Sequence, residues 1–166
     1  RRSWSSTPCS PRKARIVFEQ RCVAFADCER AVLDGVPADS LAELFPSVAR
    51  WLAADGELAA DAVVAGLRER EALGSTAIAP GVLMPHCVMP GPGVTHVVFA
   101  RPVHPIEDPH HGTVRLIVLL LVRTDASEQT RAIVRRTSRR LADDELLEAL
   151  ASAPTAVALH GMIAAL

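Results

Sequence analysis

The chain has 166 residues and a formal net charge of −1, with 49% hydrophobic residues and only 4% aromatic. That length suffices for one domain with a substantial core, and the near-zero charge supplies no global pull toward nucleic acid or an anionic membrane surface. The four cysteines form no Cys-x-x-Cys pair, so a zinc knuckle has no support, and free thiols in a reducing cytoplasm are the simplest reading.

Residues 1–30 read as an N-terminal extension, with a domain over 31–166. Ser, Pro, Thr and Arg fill the first fifteen positions, a composition that buries little surface and predicts disorder at the start. Residues 16–26 are more apolar and read as a strand or a short helix. The Arg-rich start has no apolar segment behind it, so it is not a secretory signal. The longest strongly apolar run, Leu116 to Val122, is far too short to span a bilayer.

Ala31 to Val36 reads as the first strand, ended by Pro37. Ser40 and Glu43 have capping-box spacing, which predicts a helix start. Leu41, Leu44, Phe45, Val48, Ala49 and Leu52 then recur at helical spacing. Gly56 reads as its stop. A second helix is expected from about Glu57, with Leu58, Ala62, Val63, Gly66 and Leu67 on its inner face, delivering Arg68 and Arg70 at its C-terminal end. Cations are favoured there by the helix dipole, which is also the plainest reading of these arginines.

Ile78 to Met84 reads as a short extended segment broken by Pro80 and Gly81. Cys87 to Gly93 reads as a loop, Val94 to Val103 as a strand and His104 to Gly112 as a second loop. Thr113 to Val122 is near-continuously apolar, the pattern of a strand buried on both faces. Asp125 with Glu128 predicts a cap for a helix running through Leu141. Further helices are expected over 143–151 and 155–166. Strands alternating with helices around one buried strand predict an α/β sandwich.

The stretch Arg70 to Cys87 concentrates the candidate chemistry. It holds one Arg, a Gly-Ser-Thr turn, a Pro-Gly turn and one His after a short apolar run. A neutral imidazole is a nucleophile at cell pH, and a guanidinium can hydrogen-bond two phosphate oxygens at once. The Gly74-Ser75-Thr76 turn lacks the GK[ST] core of a P-loop, so nucleotide binding has no support. The plain structural readings are a surface His, a helix-end Arg and turn-forming hydroxyls.

These residues resemble the signature of a known family. Arg70-Glu71-Ala72-Leu73-Gly74-Ser75-Thr76, then Ile78, Gly81, Val82, Pro85 and His86, match in spacing the enzyme IIA domains of the bacterial phosphoenolpyruvate-dependent sugar phosphotransferase system, in the fructose/mannitol and nitrogen-regulatory branch. The resemblance implies a three-layer sandwich, with a mixed central β-sheet flanked by helices on both faces. It implies that His86 accepts a phosphoryl group from the phosphocarrier protein HPr, with Arg70 stabilising the phosphate. No metal or nucleotide cofactor is implied, because HPr brings the group already activated. An apolar rim for HPr would come from Val82, Leu83, Met84 and Met89, although core packing is the better reading of Val82. The product would be a cytoplasmic phosphocarrier that serves a IIB partner or reports phosphorylation state to regulatory targets.

The chain also departs from the family. A second family His, in the helix after the buried strand, aligns with about Thr130-Arg131 and is absent. Thr130 or Arg131 is then expected to line the phosphate site, together with Ser75 and Thr76. His110 or His111 is a further stand-in for the missing ring. An alternative is a non-catalytic IIA-like binding module that keeps the fold and has lost transfer.

His104, His110 and His111, with Glu107, Asp108 and Cys87, match no recognised metal spacing. Cys87 beside His86 is not expected to form a catalytic pair, because adjacent strand residues point to opposite faces. Arg131, Arg135, Arg136, Arg139 and Arg140 read as a solvated helix face balanced by Asp143, Asp144, Glu145 and Glu148. No interleaved aromatics accompany them, so nucleic acid is not an expected partner.

Overall fold

The structure, a computed structural model, describes residues 18–25 and 27–166. In chain order the described residues form β1 (Phe18–Phe25), β2 (Cys28–Val36), α1 (Leu41–Leu52), α2 (Ala60–Ala72), β3 (Ala77–Ala79), β4 (Val82–Leu83), β5 (His86–Met89), β6 (Thr95–Pro102), β7 (Ile106–Asp108), β8 (Gly112–Val114), β9 (Leu116–Arg123), α3 (Glu128–Arg140), α4 (Asp144–Ala151) and α5 (Ala156–Ala164). The main sheet runs β1-β2-β6-β9-β4-β3, and β5 also pairs with β9. β2 and β6 are parallel, β6 and β9 antiparallel, and β4 and β5 both run parallel to β9, so the sheet is mixed. β7 and β8 form a separate hairpin.

The alternation of side chains along each strand divides the core in two. Ile117, Leu119 and Leu121 of β9 pack with Leu33, Val98 and the buried residues of α1 and α2. Leu116, Val118 and Leu120 face the other way and pack with Val97, Phe99 and residues of α3, α4 and α5. Apolar burial on both faces is what a continuous Leu/Ile/Val run in a central strand demands. The three-layer sandwich implied by the sequence is therefore the architecture observed.

The local differences have physical causes. The first predicted strand begins earlier, at Cys28, and Phe18–Phe25 pairs with it antiparallel as an edge strand. Residues 1–17, the span expected to be disordered at its start, lie outside the described residues. The capping box is half realised. Glu43 accepts from the backbone N–H of Asp39 at 3.0 Å, but the Ser40 side chain caps nothing. The second helix begins at Ala60 and not Glu57. The helix after β9 is capped by Ser127, whose hydroxyl accepts from the Thr130 N–H at 3.1 Å, in place of Asp125.

The loop expected over 87–93 begins with a strand. β4 and β5 lie end to end along β9, interrupted at Met84-Pro85, and the β9 backbone pairs with both. The run expected over 113–122 is itself split at Arg115, where β8 ends and β9 begins. The loop expected over 104–112 likewise contains β7 and one end of β8. Gly81 closes the β3–β4 turn at φ 76°, and a Cβ there would sit 2.9 Å from the Arg115 Nε, so this position requires glycine.

Two of the acidic residues expected to balance the α3 arginines, Asp143 and Glu148, do other work. Asp143 caps α4 through the N–H groups of Glu145 and Leu146. Glu148 binds Arg115, with contacts of 3.0 and 2.6 Å, and accepts from Ser152 at 2.6 Å. The Arg115 bond, then that of Ser152, holds the Glu148 carboxyl down at about 2 against an ordinary 4.5. A depressed carboxylate stabilises the fold above its ordinary value, and that contribution is lost as pH falls through the folded value. Acid titration followed by circular dichroism should therefore show Arg115→Ala losing less stability than wild type between pH 4.5 and 2.

Candidate functional site

The site begins with how closely α2 lies on β5. Along β5, Cys87 and Met89 are buried while His86 and Val88 are exposed, the period-two alternation of a half-buried strand. Cys87 meets α2 at Gly66. A Cβ on Gly66 would lie 3.1 Å from the Cys87 Cβ, tighter than ordinary packing allows. Glycine therefore sets the approach of helix to strand. Four residues on, about one helical turn, comes Arg70.

Arg70 is thereby brought to His86. Its Nε–H donates to the His86 Nε2 at 3.3 Å, and its Nη1 donates to the Gly74 carbonyl at 3.0 Å. The second bond anchors the guanidinium to the turn ending α2. The first leaves the Nε2 lone pair as acceptor, so the neutral ring carries its proton on Nδ1. Pro85 contributes no N–H, and its carbonyl accepts from Leu120 at 3.0 Å, which fixes the backbone immediately before His86 to β9.

The turn hydroxyls are structural. Thr76 is buried and donates to a Glu71 carboxylate oxygen, and Ser75 accepts from the Ala77 N–H at 3.1 Å. Glu71 and Thr76 thus brace the loop that presents Gly74 to Arg70.

Thr130 and Arg131 are not brought to His86. Thr130 is fully buried, and its hydroxyl lies against Asp27 and Ser127 at the base of α3. Asp27 immediately precedes β2, which is separated from β5 by β6 and β9, roughly 14 Å at three strand spacings. Arg131 spends its guanidinium on the carbonyls of Ala126 and Thr124, at 3.1 and 3.0 Å. His111 does not contact His86 either. Its two ring nitrogens face Asp108 at 2.8 Å and Glu71 at 3.4 Å.

The expected apolar rim is also displaced. Val82, Leu83 and Met89 are core residues, and Met84 packs half-buried against the second core. The exposed apolar side chains next to the site are Leu73, 81% exposed, and Val88, 62% exposed. Val88 was signalled by the His-Cys-Val-Met alternation, and Leu73 by its place three residues after Arg70.

Cys87 faces the core, away from His86, and burial pushes its thiol up to about 11. The thiolate is the reactive form, so Cys87 should resist iodoacetamide at pH 8 in the folded protein. Labelling only after denaturant, read by peptide mass, is the expected result. Rapid labelling of the native chain would contradict this placement.

The geometry defines an α/β sandwich that presents a solvent-open imidazole with its lone pair held by a helix-borne guanidinium. The chain belongs to the family described as phosphoenolpyruvate-dependent sugar phosphotransferase system, EIIA 2, whose model matches residues 27–165. The nitrogen regulatory protein of Pseudomonas aeruginosa is 28% identical over 134 residues, covering 79% of this chain and 87% of its own length. The crystal structure of nitrogen regulatory protein IIA-Ntr from Neisseria meningitidis superposes with a TM-score of 0.64 at 25% identity, over 82% of this chain and 92% of that one. The Escherichia coli complex of enzyme IIA mannitol with phosphorylated enzyme IIB mannitol matches with a TM-score of 0.58 at 19% identity, over 81% and 94% of the two chains, a likeness of fold.

Proposed function

We propose that this protein is a phosphocarrier that accepts a phosphoryl group from phospho-HPr on the Nε2 of His86. The observation that carries the reading is the Arg70–His86 contact of 3.3 Å on a ring open to solvent. In the transfer, the Nε2 lone pair forms the new N–P bond as the donor's N–P bond breaks. The Nε–H of Arg70 then moves from the imidazole nitrogen to a phosphoryl oxygen. Its Nη2 group has no bond among the described residues and is free to take a second oxygen. Catalysis here is positioning plus charge stabilisation.

Leu73, at the end of α2, and Val88, two residues after His86 on β5, supply exposed apolar surface for the docking partner. From His86 the group passes to a IIB partner, or its presence reports nitrogen or carbon status to regulatory targets in the cytoplasm. Two observations support the regulatory branch. The relatives from Pseudomonas aeruginosa and Neisseria meningitidis are named nitrogen regulatory proteins, and no second histidine bonds to His86 among the described residues.

Intact-protein mass after incubation with phosphoenolpyruvate, Enzyme I and HPr tests the proposal. One acid-labile phosphate that requires HPr is expected. No adduct with HPr fully charged would favour the binding-module alternative.

A further inference from the structure

A concavity separate from His86 and Arg70 adjoins the turn that ends α2. It is a cleft of about 490 Å³ between the start of α1, the end of α2 and the β7–β8 turn. Leu41, Phe45 and Ala72 form its apolar wall, and Arg68, His110 and His111 bring polar groups to it. Neither His86 nor Arg70 lines it. Its size is that of an ordinary small-molecule site.

The hydrogen-bonding capacity left over in the cleft has a definite character. One oxygen of each of its two carboxylates is engaged. Asp108 accepts from the backbone N–H groups of His110 and His111, at 2.9 and 3.1 Å, and holds the His111 Nδ1 at 2.8 Å. Glu71 receives the Thr76 hydroxyl on one oxygen and faces the His111 Nε2 with the other. Arg68 is the side chain of the lining that can only donate. Arg68 is exposed and has no carboxylate or hydrogen-bond partner among the described residues. The His110 ring makes only an edge contact with the His111 ring. The His111 side chain is just 7% exposed, and its Nε2 is buried with no hydrogen bond.

We propose that this cleft binds a small amphipathic anion, a carboxylate or phosphate monoester carried on an apolar body. Arg68 and His110 take the headgroup, because a guanidinium at the mouth of a partly desolvated cleft is matched by a planar or tetrahedral oxyanion. The body lies against Leu41, Phe45 and Ala72. The cleft also contains Glu71, Gly74 and Ser75, and the Gly74 carbonyl anchors Arg70, so an occupant touches the turn that positions the guanidinium against His86. The binding site itself stands independently of the phosphotransfer reading.

Titration of the ¹⁵N-labelled protein with phenylacetate, phenyl phosphate and 2-phenylethylamine, followed by amide chemical shifts, tests this. Saturable shifts at Leu41, Ala72 and Ser75 are expected with at least one anion and not with the amine. The anion that binds more tightly identifies the headgroup. Arg68→Gln should weaken binding by at least about tenfold, while Arg70→Gln leaves it within about twofold. Three results would overturn the proposal: no saturable shift with either anion, amine binding as tight as anion binding, or an affinity lost in Arg70→Gln and kept in Arg68→Gln. The last would place the anion at His86.

Discussion

Arg70→Ala should lower the rate of phosphoryl transfer to His86 by about 10²–10³-fold, the cost of removing one preorganised donor from a developing oxyanion. The guanidinium is already aimed. It rests on the Nε2 at 3.3 Å and is anchored at Gly74, so little reorganisation accompanies the reaction. Arg70→Lys should recover only part of the rate, because an ammonium cannot hold the Gly74 carbonyl and two phosphoryl oxygens in one plane. Single-turnover transfer from phospho-HPr measures both variants. A loss under about threefold for Arg70→Ala would show that the 3.3 Å contact contributes little to the transition state.

Gly66→Val should damage stability and transfer together. The added Cβ starts 3.1 Å from the Cys87 Cβ, and the two methyls have no room between α2 and β5. Overpacking of this kind costs about 1–3 kcal/mol. It also pushes α2 off β5 and draws Arg70 away from His86. A misplacement near 1 Å costs on the order of 10²-fold in a reaction that depends on positioning. Gly161→Ala, on α5, is the matched control. Its new Cβ meets nothing within 4 Å, so the gain of about 0.5–1 kcal/mol from replacing a helical glycine should appear undiluted. Thermal unfolding and single-turnover rates on both variants separate the effects. Equal behaviour of the two would refute the role given to the helix–strand approach.

The parts legible in the sequence are those governed by local or strongly periodic physics. The β9 run announced a strand buried on both faces because Leu116 to Leu121 leave no polar side to expose. Helix α1 followed from apolar spacing, and all five helices were expected with ends within about three residues of those observed. β5 was hidden because its four residues precede a Pro-Gly-Pro-Gly segment, and pairing with β9 is a long-range fact that no local pattern carries. The break at Arg115 was hidden for the opposite reason, since apolar residues continue on both sides of it.

At the site, Arg70 and His86 were linked through a family resemblance; their spacing alone does not specify contact across sixteen residues. Gly66 was visible only as an inner-face residue of a helix. Its role depends on which strand lies against it. Thr130 and Arg131 were placed by alignment with the family pattern, yet hydrogen bonds to Asp27, Ser127, Ala126 and Thr124 decide where those side chains go.

The central claim is that the His86 Nε2 is the phosphoryl acceptor. Its most direct test is ³¹P and ¹⁵N NMR of the phosphorylated protein, with His86→Ala treated in parallel. The geometry predicts a single phosphohistidine, bonded through Nε2 and absent from the variant. Phosphate on Nδ1, on another residue, or still present in His86→Ala would contradict it.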